Sequence, residues 1–153
     1  MQPSYSPIAD IDSEDVSAQL YHNLRASITE AFATRRPLLT HLNADTTWLL
    51  SVPYPINSTN PKKRTYFHIL IDPWLRGGQS DVARFFSQQW HKQPSAVQTI
   101  AEVEDVIRGV EDVASGTGSE DRQRDKTEDS WIDVVAVSHE FTDHMHKETL
   151  LEV

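Results

Sequence analysis

The stretch Trp131 to His146, W-I-D-V-V-A-V-S-H-E-F-T-D-H-M-H, decides how the rest of the chain is read. Its first seven residues, Trp131 to Val137, are β-branched and apolar enough to predict a buried strand. The next nine, Ser138 to His146, hold three histidines and two acids. In α/β architectures, sites collect at the carboxyl ends of strands, which is where this cluster falls. Imidazole and carboxylate are the ligands that borderline divalent ions accept, so His139, Asp143, His144 and His146 are the candidate metal ligands. The chain contains no cysteine, which removes disulfides and thiolate ligands and suits a reducing compartment. The competing reading of the cluster is a helix start near His144, capped by Thr142 or Asp143, with His144 and Glu148 exposed one turn apart.

Working outward, Thr65 to Ile71 reads as a strand with a nearly continuous apolar run, the pattern expected when both faces are covered. Thr46 to Val52 reads as another strand, and the two are expected to pair as a hairpin across the turn-rich residues 53–61. Asp72-Pro73 closes the second strand. Gly77-Gly78 then predicts a turn, followed by a helix capped by Ser80 that carries Val82, Phe85 and Phe86 up to Trp90. Ser95 to Val110 shows helical spacing through Ile100, Val103, Ile107 and Val110, with acids on the opposite face. Residues 111–130 turn to Gly, Ser and mixed charge; seven acids against three bases supply −4 of the chain's formal −9. A disordered insertion is expected there. At the other end, residues 1–16 lack periodicity and read as a disordered tail, while Leu20, Leu24, Ile28, Ala31 and Phe32 place an amphipathic helix over about 17–33. The folded domain is therefore expected over 17–153.

The order of these parts carries a resemblance. A hairpin, a strand ending L-I-D-P at Leu70 to Pro73, and a later V-V-A-V strand (Val134 to Val137) running into H-x-F-x-D-H is similar to the N-terminal half of the metallo-β-lactamase superfamily, in its lactonase-like branch. The superfamily pattern is H-x-H-x-D-H; His139, Asp143 and His144 match it, and Phe141 stands at the second histidine. The resemblance implies an α/β (α+β) fold, half of an αββα sandwich with a mainly antiparallel or mixed sheet covered by helices. It also implies zinc or manganese, one or two ions in the complete fold. His139 would be a ligand of the first ion, Asp143 and His144 ligands of the second, and His146 an extra ligand or a substrate-orienting group. Asp72 would be the strand-end aspartate that braces the site, and Asp143 would double as the catalytic proton acceptor. A bare Asp-Pro turn remains an equal reading of Asp72.

The resemblance further implies metal-dependent hydrolysis of a small ester, lactone or phosphoester. Because such sites draw ligands from both halves of the sandwich, this chain alone, ending at Val153, is expected to be inactive. The alternative is a noncatalytic binding module that keeps the half-sandwich and self-associates through an uncovered sheet face. The other functional classes are narrowed by what is missing. The net charge of −9, with no basic stripe, speaks against nucleic acid. No apolar run reaches the roughly 18 residues needed to span a bilayer and the N-terminus lacks a signal-peptide pattern, so a cytoplasmic protein is expected. There is neither a phosphate-cradling Gly-rich loop nor a G-x-S-x-G elbow. His68, inside an apolar strand, reads as a core histidine, and His22, His41 and His91 as structural. Phe85, Phe86 and Trp90 read as core rather than as a substrate mouth, and Arg64 with the two preceding lysines as a solvated flank.

Overall fold

The computed structural model describes residues 22, 25–56, 64–81, 83, 85–116 and 130–153. Those residues form a mixed α+β fold. The first helix, α1 over 25–33, buries Ile28 and Ala31 and closes at Arg35, whose positive φ of 54° turns the chain out of the helix. It is followed by β1 (Leu38–His41), β2 (Trp48–Pro53), β3 (Tyr66–Ile71), β4 (Gly78–Gln79), β5 (Gln89–Trp90), α2 (Ile100–Ser115), β6 (Val134–Ala136) and α3 (Lys147–Leu150). The expected tail, 1–16, and Leu20 and Leu24 of the first helix lie outside the described residues.

Four strands make the main sheet in the order β1-β2-β3-β6. β2 and β3 pair antiparallel as the expected hairpin, with Trp48 opposite Ile71 and Pro53 opposite Tyr66. β6 joins β3 in parallel, Ile69 opposite Val134. The strand expected over 131–137 is shorter than its apolar run; just before it the Asp133 amide donates to His68 O at 3.0 Å, while the His68 amide is taken by the Asp133 carboxylate at 2.8 Å rather than by a backbone carbonyl. β1 was not foreseen; its four residues L-L-T-H carry too little alternation to announce a strand.

The alternation along β3 is strict. Tyr66, His68 and Leu70 are buried, while Phe67, Ile69 and Ile71 are only half-buried. Burial on both faces, expected from the continuous apolar run, is therefore replaced by one deeply covered face. What covers it is α2, which lays Val103 and Ile107 over Leu49 and Leu70, and Val110 and Ala114 beside Tyr66 and Ile28. Thr99 caps α2 by accepting the Glu102 amide at 3.2 Å, and Gly116 ends it at φ 67°. The first is an ordinary start signal for a helix and the second an ordinary stop signal.

Two further expectations need correcting. The helix runs to Ser115, five residues into the stretch expected to be disordered, because Glu111 is a buried anchor there and Ala114 packs in the core. Residues 117–129 lie outside the described residues. In the second case no helix begins at Ser80: β4 pairs with β5, Gly78 opposite Trp90, and Phe86 and Ser87 turn back onto the Ala83 carbonyl. Phe85, Phe86 and Trp90, expected in the core, are 93%, 77% and 63% exposed. Among the described residues, no helix is long and apolar enough to cross a membrane.

Beneath α2 lies a buried polar chain. His68 is fully buried, as expected of a satisfied core histidine; its Nδ1 meets Ser51 Oγ at 2.9 Å and its Nε2 meets Glu111 Oε1 at 3.2 Å. Glu111 also accepts the amides of Thr65 and Tyr66, both at 2.8 Å, so one carboxylate ties the helix to the start of β3.

Candidate functional site

The parallel pairing of β3 with β6 brings their carboxyl ends side by side, and two loops leave from there. Asp72 is the first residue beyond β3. Its amide donates to Ala136 O at 2.9 Å, extending the ladder by one bond, and its carbonyl accepts Thr47 Oγ1 at 2.9 Å. Its φ is +48°, a left-handed conformation that aspartate tolerates better than most side chains. So held, the carboxylate reaches the loop after β6, where Oδ1 accepts the Ser138 amide at 2.7 Å and Oδ2 accepts Ser138 Oγ at 2.6 Å. Oδ2 also lies 3.0 Å from His144 Nδ1. Asp72 is thus a turn residue whose carboxylate also ties down the loop after β6.

The brace decides how His144 presents itself. With Nδ1 bound to a carboxylate, Nε2 is the ring nitrogen left for other partners, the arrangement by which an outer carboxylate fixes a metal-binding imidazole. Nε2 faces Asp143, whose Oδ2 is 3.6 Å away. The hydrogen bond to Asp72 raises the His144 pKa above its ordinary value against the opposing effect of burial, and the charges of Asp143, Asp72 and Asp45 add to the rise. In Asp72, burial pushes the carboxyl up, but the two hydrogen bonds from Ser138 and the one from His144 outweigh it and hold the pKa below the usual carboxylate value. Each shift favours the charged form of its own group.

Asp143 is fixed from a third direction, since Thr46 Oγ1 donates to its carbonyl at 2.8 Å. Its Oδ1 is buried and has no hydrogen-bond partner among the described residues. A carboxylate oxygen in that position carries a desolvation penalty that a cation relieves. His139 lies nearby, its ring 5.6 Å from that of His144 between centroids, but it leans on Phe141 at 4.4 Å. The structure therefore gathers His139, Asp143 and His144 around the Asp72 brace.

His146 does not join them. Only 4% exposed, it caps α3, its Nδ1 meeting Thr149 Oγ1 at 3.0 Å and accepting the Thr149 amide, while the ring also bonds the Gly78 backbone. Burial lowers its pKa and favours the neutral ring that a cap needs. The expected extra ligand is thus the capping residue. The helix-cap reading is corrected in the same step: α3 starts at Lys147 rather than His144, and Thr142 turns away from it to give its amide (3.0 Å) and hydroxyl (2.7 Å) to Asp81.

Several contributors were not singled out from the sequence. Ser138 spends its amide and hydroxyl on Asp72, and Thr46 holds Asp143 across 97 residues of chain. Asp45, which helps charge His144, also lies 3.6 Å from His91 Nδ1. His91 packs against Trp74 at 4.0 Å with the rings tilted by 32°, and His41 stacks on Trp48 at 3.8 Å, which is the structural use expected of them.

The imidazole of His144, with Nδ1 on Asp72, and the unpartnered Oδ1 of Asp143 are donor types that divalent ions accept. Among the described residues, no group of three or more His, Asp or Glu side chains is drawn in tightly enough to complete a shell. Protein-family models, curated proteins and solved structures were each compared with this chain, and none matched.

Proposed function

We propose that the corner where β3 and β6 end is the metal centre of a metallo-β-lactamase-type hydrolase acting on a small ester, lactone or phosphoester. The observation that carries this reading is the buried, unpartnered Oδ1 of Asp143 beside an imidazole oriented by Asp72. His144 and Asp143 would hold the ion, and His139, now against Phe141, would be an outer contributor. When bound, zinc or manganese lowers the pKa of a coordinated water to about 7 and polarises the carbonyl or phosphoryl oxygen. The chain's own residues do the rest. Asp72 keeps the His144 Nε2 pointed inward, Ser138 and Thr46 fix the two loops, and Asp143 accepts a proton at its carboxylate. The finer fold assignment belongs to the same proposal: a sheet with α2 on one face and half-buried apolar residues on the other is what one half of an αββα sandwich offers.

Calorimetric zinc titration at pH 7.5 tests the centre. Parent protein should take up zinc, Asp143→Ala and His144→Ala should lose it, and His139→Ala should weaken it less. Uptake unchanged by the first two substitutions contradicts the proposal.

One observation favours a second, noncatalytic reading. Leu39, Leu50, Ile69 and Val134 stand opposite one another in register across all four strands, with Leu39 60% and Val134 43% exposed. An apolar row of that kind is a surface for association. Zinc-dependent turnover of phenyl acetate, a lactone or a phosphodiester, absent in His144→Ala, selects the hydrolase; zinc uptake without turnover in any class selects a binding module with an inherited metal centre.

A further inference from the structure

We propose that the cleft between the β4–β5 hairpin and α3 seats the ring of a small, neutral aromatic ester on the indole of Trp90. The cavity measures about 680 Å³ and its wall includes Gly78, Ala83, Trp90, Thr142, Lys147 and Glu148. That volume lies inside the range of roughly 300–1,000 Å³ typical of small-molecule sites.

Trp90 is a built platform rather than a stray surface residue. Gly78 is its partner in the strand register, and a Cβ at that position would overlap the indole nitrogen. Glycine within a strand marks such a close approach, and here it lets the indole lie flat across β4. The ring is nevertheless 63% exposed. A broad apolar face held in place and left uncovered is suited to stacking another ring.

Charge selects the kind of ring. Lys147 and Glu148 bring one charge of each sign to the same wall, so the cleft has no net preference for an anion or a cation. Beside those two charges and the His146 ring, the polar lining is the amides of Gln79 and Gln88 and the hydroxyls of Ser80 and Thr142, groups that suit an ester oxygen. Thr142, pinned to Asp81 by two hydrogen bonds, forms the wall next to Asp143. The wall residue Thr142 is thus the sequence neighbour of the proposed metal ligand Asp143. The choice of an ester rests on the hydrolase reading; the seat for a neutral ring does not.

The test is run without metal, so that it stands or falls separately. Uniformly labelled full chain in EDTA is titrated with phenyl acetate and the four tryptophan indole N–H signals are followed by NMR, Trp90 being assigned from its loss in Trp90→Phe. The Trp90 signal should shift saturably at millimolar ligand. Trp90→Ala should weaken binding at least about tenfold and Gly78→Ala should do likewise by displacing the indole, while Trp90→Phe, which keeps a ring, stays within about threefold. Phe85→Ala, outside the cavity, should leave affinity unchanged. Phenyl phosphate should not compete. No saturable shift, undiminished binding in a folded Trp90→Ala protein, or competition by phenyl phosphate overturns the proposal. Ring binding that persists in a protein taking up no zinc overturns the metal reading and the choice of an ester, and leaves the seat for a neutral ring standing.

Discussion

Asp72 spends every polar group it owns on holding two loops together, and the loss of its charge should be felt first at His144. Asp72→Asn keeps the shape but removes the ion pair. We predict that the His144 pKa, followed by proton NMR of the ring, falls from above the ordinary histidine value toward or below it. The linkage runs in two directions. The raised His144 contributes stability that is complete below its unfolded pKa and lost as pH rises through its folded one; the depressed Asp72 contributes stability present above its unfolded pKa and lost as pH falls through its folded one. The pair therefore stabilises between the two, and Asp72→Asn should flatten that window. Zinc affinity of the same variant should drop about 10- to 100-fold, the usual effect of deleting the group that orients a ligand histidine. At this scale the sequence was legible where the chain itself fixed the geometry. A strand-end Asp after L-I and a D-H pair after a strand sit where the β3–β6 pairing must put them. His146 was not legible, because two residues of spacing cannot say whether a ring faces the loop or caps the next helix; its cap depends on Thr149 and on the distant Gly78 backbone.

The helix α2 shows how a side chain can extend an element past its apolar pattern. Read along the chain, Glu111 opens a polar, charged stretch; in the fold it is 1% exposed and accepts two amides and an imidazole. Its partners come from residues 65–68, so nothing local announced it. Burial pushes its carboxyl up, but the His68 ring and the Thr65 and Tyr66 amides win and hold its pKa below the ordinary value. Glu111→Gln should lower stability by about 2 kcal/mol at pH 7, as expected for losing hydrogen bonds to a charged group. Because the carboxyl is depressed, its contribution is present above the ordinary glutamate value of about 4.3 and disappears as pH falls through the folded value, so parent and variant should converge in urea melts on acidification. A gap that stays constant with pH would contradict the ionised assignment. Thr99→Ala should cost about 1 kcal/mol through loss of the α2 cap alone, checked by the same melts. The segment 80–90 failed for the opposite reason. Val82, Phe85, Phe86 and Trp90 have helical spacing, but the Gly78–Trp90 pairing is a longer-range choice that spacing does not encode.

Over the whole molecule, one face of the sheet is sealed by α2 and the other keeps its apolar row from Leu39 to Val134. Sedimentation velocity should show concentration-dependent association that Val134→Lys, at the edge strand β6, reduces without lowering the melting temperature by more than about 5 °C, since the side chain is already solvent-exposed. A monomer at every concentration in the parent would remove the association reading. The hairpin, the α2 contact and the parallel β6 together have a further consequence: they draw residues 45–46, 72 and 138–144 to one corner, a convergence no single segment contains. The most direct test of that corner is anomalous diffraction at the zinc edge from crystals grown with zinc. A peak between Asp143 Oδ1 and His144 Nε2, absent in Asp143→Ala, is the predicted result; a peak at His146, or none at the Asp143–His144 pair with zinc bound elsewhere, would contradict it.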